Sequence, residues 1–473
     1  MTRGEATVHF GRVDTRPYYL VMMSAAVLGG LGLALNAALL VVFIPLIVFA
    51  IAAVANRMML FIVMTAVSSV AVYLGGVPID LLAFPILTLS WAIHFKNRIS
   101  VRNARHLYFM AVLNAIWVII VLVIHGMDFD AKYAWFVGVR LISFYAAFWM
   151  VLDLTGGVSA EWIRRLIFII LAISTIPTLY ALFEAMVMGK GHVSSILEPH
   201  HSHLGNYGVA AVMVAGWGIV LASSGFGKLL SWGAFLCGCL AVIFSETRSD
   251  MLGLAAGFIA FGVARNTRTL LVTLVCLVSF SQVGFVRDIL EREKAMTLQE
   301  GALTGRPESG VETSIDVSSA ERVMIWLGVV EYLQHANFQQ LAIGVGPGNF
   351  GPAMLPYMTI HALYINRPGV TMNGAHNNIL HVTSELGVVG FLLSLVFLVG
   401  CAYQLFRMRK NPEPRIASLA AITFAALIGL FASSFTQETF YSQPSMGNFY
   451  GFLLLLLAIF YGYANRIAPA ARG

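Results

Sequence analysis

The chain has 473 residues, of which 59% are hydrophobic and only 11% are charged, and its mean hydropathy is +0.81. Soluble globular domains carry roughly one quarter charged residues, so this composition excludes an ordinary soluble protein. The lysines and arginines give a net charge of +6, but they lie in short loops between apolar runs. That distribution is typical of membrane topology and argues against nucleic acid as a partner.

Apolar runs follow one another along most of the chain, and a helical span needs roughly 20 residues. The sequence therefore predicts an all-α fold, a polytopic transmembrane helix bundle of about 12–14 spans. The candidate spans lie at 18–35, 37–55, 58–75, 79–95, 107–125, 134–152, 166–187, 206–222, 229–244, 250–264, 269–285, 377–404, 416–435 and 447–464.

These spans divide the chain into three regions. We expect an N-terminal transmembrane bundle over 1–285, a large periplasmic loop with short helices over 286–375, and C-terminal transmembrane helices over 376–473. A connection as long as the middle region exceeds ordinary loop lengths, which indicates that it has a function or forms a small domain.

The orientation of the spans is predicted from the lysines and arginines in alternate loops. One side carries basic clusters such as 96–105 and 407–415, whereas the short loops of the other side hold only Lys132, Lys190 and Arg248. Because cytoplasmic loops carry the excess of positive charge, we expect both termini in the cytoplasm and the large loop outside.

Two polar features interrupt the first half of the bundle. Arg140 lies inside an apolar span, and we interpret it as a buried counter-ion of Asp153 or of another carboxylate. The run His200-His201-Ser202-His203 offers imidazoles as metal ligands, but the run has no defined carboxylate or cysteine companion. A metal site is the less favoured alternative, and a polar lining at the outer mouth of the bundle is the favoured one.

A tight outer connection, Ser245-Glu246-Thr247-Arg248-Ser249-Asp250, joins two short spans. Its arginine either snorkels to the interface and pairs with one of the neighbouring carboxylates, or has a functional role. The residues alone leave both interpretations open.

The large loop is predicted to contain a helix. The sequence Ser318-Ser319-Ala320-Glu321 is a capping box, and it predicts a helix that runs to about His335. Arg322 lies in the first turn, beside an apolar face. Residues spaced three and four apart form that face: Val323, Trp326, Leu327 and Val330. We expect this helix to lie on the outer membrane surface.

A glycine-rich segment, Gly344 to Phe350, follows this helix. It lacks the Gly-Lys-Ser/Thr of a phosphate-binding loop and the strand–turn–helix context of a dinucleotide fingerprint. We therefore predict a turn that reverses the chain, and no nucleotide site.

The large loop ends at Asn373-Gly374-Ala375-His376-Asn377-Asn378, where a span begins at once. His376 is thereby predicted at the outer membrane boundary, at the N-terminus of a helix. Glu385 follows nine residues later, about two and a half turns along the same span. In isolation these residues also fit structural roles, as a boundary histidine and as one partner of an ion pair between spans.

The arrangement of residues resembles the O-antigen ligase and Wzy-type polysaccharide polymerase superfamily of bacterial membrane proteins. The ligase motif is His, then Asn, Ser or Gln, nine free positions, Gly, two free positions, and Gly, Thr or Tyr. His376, Asn377, Gly387 and Gly390 fill it without a gap. The motif also follows a large periplasmic loop close to the C-terminus, as it does in that superfamily.

This resemblance implies a chemistry for the outer leaflet. The donor is an oligosaccharide on undecaprenyl diphosphate, and Arg248 and Arg322 bind its diphosphate. His376 is the general base that removes a proton from the acceptor hydroxyl, and no metal or cofactor is implied. The candidate residues on the acceptor side are Trp326, Tyr357, His201 and Glu385.

The resemblance further implies a metal-independent, inverting glycosyltransferase of the bacterial inner membrane. We expect a polymerase of O-antigen or exopolysaccharide, with a flippase and a chain-length regulator as partners. The first alternative is a ligase of lipopolysaccharide biosynthesis that transfers the finished chain to lipid A–core. A transporter is the alternative from another class, but such a protein shows related halves with charges at the midplane, and this sequence shows no such halves.

Overall fold

The structure is a computed structural model. It describes residues 73–74, 77–78, 87–88, 91, 104–129, 131–155, 159–187, 201–245, 247–281, 317–357, 374–436 and 449–467. The first four predicted spans lie almost entirely outside these ranges, as does the first part of the large loop.

Within these ranges the regular secondary structure is helical apart from one short antiparallel ribbon of two strands, in which Tyr73 lies opposite Pro78. The elements in chain order are β1 (Tyr73–Leu74), β2 (Val77–Pro78), α1 (Arg105–His125), α2 (Ala131–Thr155), α3 (Ala160–Val187), α4 (His201–Leu221), α5 (Gly225–Phe244), α6 (Arg248–Arg265), α7 (Thr267–Ser281), α8 (Val317–His335), α9 (Phe338–Ile343), α10 (Phe350–Met354), a 3-10 turn (Leu355–Tyr357), α11 (Asn378–Met408), α12 (Pro414–Ser433) and α13 (Phe449–Ile467).

The predicted fold class is confirmed, because long apolar helices make up most of the described chain. Each of the last ten predicted spans coincides with one of the helices α1 to α7 and α11 to α13. Within the described ranges, five helices are long and apolar enough to cross a membrane: α1, α2, α5, α11 and α12. Shorter apolar helical stretches lie at Gly208–Leu221, Thr267–Ser279 and Leu453–Ala464.

The last helix, α13, is buried within the bundle. Residues 453–461 are all buried, and a helix that is apolar on every side belongs in the interior. Tyr450 near its start contacts α2, where its hydroxyl donates to the Tyr145 hydroxyl at 3.1 Å. Its ring also meets Phe144 edge to face at 6.2 Å. Among the described helices, α2 is the main neighbour of α13, and α3, α4 and α12 also contact it.

The helices α6 and α12 pack closely along their length. A β-carbon added at Gly253 of α6 would lie only 2.8 Å from the carbonyl oxygen of Gly429 in α12. Small residues at such crossings let two helix backbones approach, which is a common source of helix association in membranes. The start of α6 is thereby fixed beside the end of α12.

The long helix α11 is broken at Gly387, which has φ 70° and ψ 176°. The indole nitrogen of Trp117 in α1 donates to the carbonyl of Leu386 at 2.9 Å and so satisfies one group freed by the break. Residues 388–408 alone rise about 31 Å, enough to cross the hydrocarbon core. The segment before the break is thus a separate short helix that carries the polar residues.

Asp153, one of the counter-ions predicted for Arg140, is too far away to pair with it. Both residues lie on α2, and thirteen residues of helix separate them by about 20 Å. The Asp153 carboxylate instead accepts the indole N–H of Trp91 at 3.1 Å. The Arg140 side chain is buried and lies 5.8 Å from the ring centre of Phe144.

Candidate active site

The start of α11 is fixed to the end of α12 by hydrogen bonds on both sides of the helix cap. Asn377 caps α11 by accepting the N–H of Leu380 at 3.1 Å, and its amide nitrogen donates to the carbonyl of Phe435 at 3.0 Å. The next N–H, of Asn378, donates to the carbonyl of Ser434 at 2.9 Å. The motif asparagine therefore holds the two helix ends together.

His376 precedes this cap and has a left-handed backbone. Its φ of 48° is the only positive value at a residue other than glycine in the described ranges. Such a conformation costs on the order of 1–3 kcal/mol and persists only where surrounding contacts impose it. Its side chain is half-buried, as expected for a group at the mouth of a site.

The contacts that hold His376 in this conformation are two hydrogen bonds of the Ala375 main chain, one at its N–H and one at its carbonyl. The Ala375 carbonyl accepts the indole N–H of Trp326 at 2.7 Å, and the Ala375 N–H donates to Nδ1 of His381 at 3.3 Å. Ala375 and His381 are both buried. These two hydrogen bonds, which we call the Ala375 clamp, fix the backbone immediately before His376.

The second histidine, His381, has its tautomer set by this bond. Because Nδ1 accepts the hydrogen bond of the Ala375 N–H, the ring proton of the neutral imidazole is assigned to Nε2. Nε2 faces the carboxylate of Glu385, with 3.6 Å between Nε2 and Oε1, and the ring stacks on Phe350 with 4.9 Å between centroids. His381 thus connects the clamp to the glycine-rich turn.

Glu385 is fully engaged by that turn. Its two carboxylate oxygens accept the N–H groups of Gly348 at 2.8 Å and of Phe350 at 3.0 Å, and its carbonyl accepts the N–H of Gly346 at 2.9 Å. Its side chain is only 1% exposed. Both oxygens of this carboxylate therefore bind the turn, and Glu385 anchors it to α11.

The predicted turn is confirmed at Gly344, Gly346 and Gly348, whose φ values are 82°, 94° and 76°. Successive N–H groups in such a turn form a concave site for an anion. Here that anion is the Glu385 side chain of the same protein, so the turn has the form of a phosphate loop but its N–H groups serve an internal carboxylate.

The two motif glycines of α11 have steric explanations. A β-carbon at Gly387 would lie 2.1 Å from the carbonyl oxygen of Ala342 at the end of α9, and one at Gly390 would lie 2.8 Å from the indole nitrogen of Trp117. Gly387 also has a positive φ, which residues with a β-carbon rarely adopt. Both positions therefore allow the loop and α1 to contact the broken part of α11.

Helix α8 has the bounds predicted from the capping box, but its apolar surface is divided. Ile325, Val329 and Tyr332 are buried against the segment of α10 and Ala375, whereas Leu327 and Val330 are exposed. The exposed Leu327 and Val330 belong to the apolar face predicted from spacing and agree with a membrane-facing surface, whereas the spacing did not indicate the second face, which packs on the protein.

Arg322 lies one turn before Trp326 on α8, so the two side chains share a side of the helix. Arg322 lies about 6 Å along α8 from Trp326, and Trp326 in turn contacts Ala375, the residue that precedes His376. Tyr357 lies farther along, where its ring meets Tyr332 at 5.5 Å. Burial raises the pKa of Tyr332 to about 12, with Tyr357 as a second cause.

Arg248 is the first residue of α6, and His201 is the first residue of α4. Asp250, two residues after Arg248, is buried. It packs against Gly205 of α4, where an added β-carbon would lie 2.0 Å from the Asp250 Oδ2. Its carboxylate has no hydrogen-bond partner within the described chain. The starts of α4 and α6 are adjacent at the same end of the bundle as the end of α12.

Sequence reasoning missed two parts of this arrangement. His381 was passed over, although its spacing of four residues before Glu385 is the helical spacing of interacting side chains. The bond from Trp117 to the break in α11 joins residues 269 positions apart, and no local pattern indicates it.

The fold and this polar region define a multi-pass, all-α membrane protein with a histidine-bearing site at one end of its helices. The sequence model of a protein family described as O-antigen ligase matches residues 233–395. This match, roughly a third of the chain, includes Arg248, Arg322 and the motif from His376 to Gly390. It confirms the resemblance to the O-antigen ligase and Wzy-type superfamily. Among curated proteins, none matches the chain.

Proposed function

We propose that the protein is a membrane glycosyltransferase that transfers an oligosaccharide from undecaprenyl diphosphate to a glycan acceptor on the periplasmic face, acting as a polymerase of O-antigen or exopolysaccharide. The observation that carries the proposal is the Ala375 clamp, which fixes the backbone before His376 in a segment that matches the O-antigen ligase family. A strained backbone held by two buried contacts is typical of functional positions.

In this proposal His376 is the general base. Its imidazole takes the proton from an acceptor hydroxyl while the hydroxyl oxygen forms a bond to the anomeric carbon of the donor sugar. The bond between that carbon and the diphosphate oxygen breaks, and the diphosphate leaves with the electron pair. Because the attack is direct, the anomeric configuration inverts. The half-buried side chain of His376 is compatible with access by a substrate.

Arg322 and Arg248 are proposed to bind the donor diphosphate and to stabilise the charge that grows on it. Guanidinium groups are planar and permanently charged, so they match phosphate oxygens with two hydrogen bonds. The position of Arg322 one turn from Trp326 supports this role. For Arg248 the support is that α6 packs on α12, whose end holds the motif asparagine.

The acceptor side is proposed to include Trp326, Tyr357 and His201. The indole N–H of Trp326 is committed to Ala375, so its contribution to an acceptor is the ring face. The packing of Tyr357 on Tyr332 places another aromatic ring beside the same helix. Aromatic surfaces of this kind suit the apolar faces of sugars.

A ligase that transfers the finished chain to lipid A–core is the second candidate, favoured by the description of the matched family. The two activities share the donor and the base but differ in the acceptor. They therefore predict different lipid-linked intermediates when the protein is removed.

The test is a deletion strain whose lipid-linked glycans are extracted and sized by gel. A polymerase predicts accumulation of single repeat units on the carrier, or of one repeat on core, whereas long carrier-linked chains beside bare lipid A–core would establish the ligase. The wild-type gene should restore the polysaccharide. The His376→Ala variant should insert normally but lose general-base catalysis, roughly 10²–10⁴-fold; near-normal product from it would contradict the assigned base.

A further inference from the structure

A cavity of about 400 Å³ lies between α4, α5, α6 and α12 and extends along α6 from Gly253 to Arg265. Its walls are almost entirely apolar, with Val212 of α4, Phe235 of α5, Phe258 of α6 and Ile422 of α12 as examples. Such walls offer no hydrogen bonds to a sugar or a peptide. The chemistry of the cavity suits a hydrocarbon chain.

One end of the cavity is cationic. Arg265, the last residue of α6, lines it and is exposed, and its Nη1 donates to the hydroxyl of Ser418 at 3.1 Å. The guanidinium of Arg409 lies alongside, since its Nη1 donates to the carbonyl of Ala264 at 3.2 Å. The hydrogen bond to Ser418 orients the Arg265 guanidinium group, and most of its five N–H donors are left to bind an anion.

This end lies at the boundary between membrane and water. Helix α5 begins there, with Lys228 in its first turn, and Trp232 lines the cavity with 55% of its surface exposed. Tryptophan and basic side chains are enriched at that depth of a bilayer. Arg248 at the other end of α6 is about 26 Å away along the helix.

We propose that this cavity is a binding site for an anionic phospholipid, with an acyl chain between the helices and the headgroup phosphate on Arg265. The position of Arg265 favours a phospholipid over the polyprenyl donor as the occupant of the cavity. The donor diphosphate is proposed at the Arg248 end, whereas the cation that belongs to this cavity lies at the opposite end. Basic pockets between transmembrane helices bind acidic headgroups in the same way.

The test measures lipid binding to the purified full-length protein and needs no transferase activity, so its outcome is separate from that of the proposed function. Delipidated protein is titrated with dioleoylphosphatidylglycerol or dioleoylphosphatidylcholine, and bound lipid is counted by native mass spectrometry. We expect the anionic lipid to bind preferentially. Arg265→Gln should weaken that binding about fivefold, whereas Arg268→Gln, a change at an exposed arginine outside the cavity wall, should not.

A second variant tests the apolar part of the site without changing any charge. Ala426 is a small, half-buried residue of the wall, so Ala426→Phe should fill the cavity and reduce binding while the elution volume stays that of the wild type. Equal binding of the two lipids, or equal loss in Arg265→Gln and Arg268→Gln, would overturn the proposal. Displacement of the anionic phospholipid by equimolar undecaprenyl phosphate would overturn it in favour of the donor lipid.

Discussion

The backbone before His376 is fixed by side chains that are distant in sequence, and each contributes one hydrogen bond. Trp326 comes from the large loop, whereas His381 comes from the next turn of α11. Removing either partner leaves a buried peptide group of Ala375 unsatisfied, at a cost of about 1–3 kcal/mol. Because His376 directly follows this peptide, the geometry of the proposed base depends on both bonds.

This dependence predicts a difference between two substitutions of His381. His381→Asn keeps an acceptor atom close to the position of Nδ1, whereas His381→Leu keeps the volume and removes the acceptor. We expect kcat of the leucine variant to fall between about tenfold and a hundredfold with little change in the acceptor KM, since a misplaced base slows the chemical step. Steady-state kinetics in detergent or nanodiscs would measure this.

The asparagine variant is the control, and it should retain most of the wild-type kcat. If both variants lose activity equally, or if only the acceptor KM rises in the leucine variant, the clamp does not position the base.

A lysine at position 322 tests whether the planar shape of the arginine side chain, and not only its charge, is needed. Arg322→Lys keeps the positive charge but loses the planar fork, so binding of a diphosphate should weaken and the donor KM should rise. The same is expected of Arg248→Lys. The matched control is Arg164→Lys, because Arg164 lies on α3 in an exposed pair with Glu161. Polysaccharide yield in the complemented deletion strain, compared with amounts of inserted protein, checks the prediction. Full yield from both Arg322→Lys and Arg248→Lys would rule out bidentate binding.

At the scale of elements, the site depends on the contact between the glycine-rich turn and the broken helix α11. The turn binds the Glu385 carboxylate, and the break at Gly387 brings the end of α9 against the α11 backbone. The turn and the first part of α11 therefore form one unit. Since His376 begins that unit, the large loop and the C-terminal helices cannot be positioned independently.

Gly387→Ala should disrupt the contact between the glycine-rich turn, with the end of α9, and the first part of α11. Alanine at φ 70° is strained, and its β-carbon would overlap the carbonyl of Ala342. We expect a lower unfolding temperature and loss of activity, measured by fluorescence-detected thermal unfolding and by polysaccharide yield. Gly233→Ala on α5 is the control, since a β-carbon there meets nothing within 4 Å and alanine favours a helix. A Gly387→Ala variant as stable as this control would show that the break is not required.

The sequence predicted elements better than it predicted their interfaces. Apolar runs and a capping box were sufficient for α8 and for the last ten spans, because local composition and spacing determine where helices form. They did not indicate which face of α8 is buried, because Ile325 and Val329 pack against α10, a partner that spacing does not reveal. The break in α11 was also missed, since glycine is common in membrane helices that remain regular.

The site shows the same limit at the level of single residues. His376, Asn377 and the motif glycines were found from a sequence resemblance, and the structure supplies a physical reason for the asparagine and for both glycines. The role of Glu385 was not predictable, since a buried carboxylate suggests an ion pair and here it accepts main-chain N–H groups. A bond between main chain and side chain leaves no pattern in composition or charge.

For the whole molecule, the two ends of the helices differ in chemistry. The end with His376 carries the turn, the clamp and the start of α6, whereas the other end carries Arg265, Arg407 and Arg409, beside the apolar cavity. Cytoplasmic loops hold the excess of basic residues, so the second end is predicted to face the cytoplasm. The proposed donor, once flipped, is then available only at the first end.

The orientation is tested by reporters placed inside the full-length chain. An insertion after Gly310 in the large loop should give active alkaline phosphatase and no green fluorescence, because that position is predicted to be periplasmic. An insertion after Asn411, between α11 and α12 and directly after the basic residues 407–410, should give the opposite result. Each insertion is the control for the other, since both must be present in equal amounts in the membrane fraction. If Gly310 reports the cytoplasm and Asn411 the periplasm, the bundle is inverted, and His376 faces a compartment in which the proposed transfer does not take place.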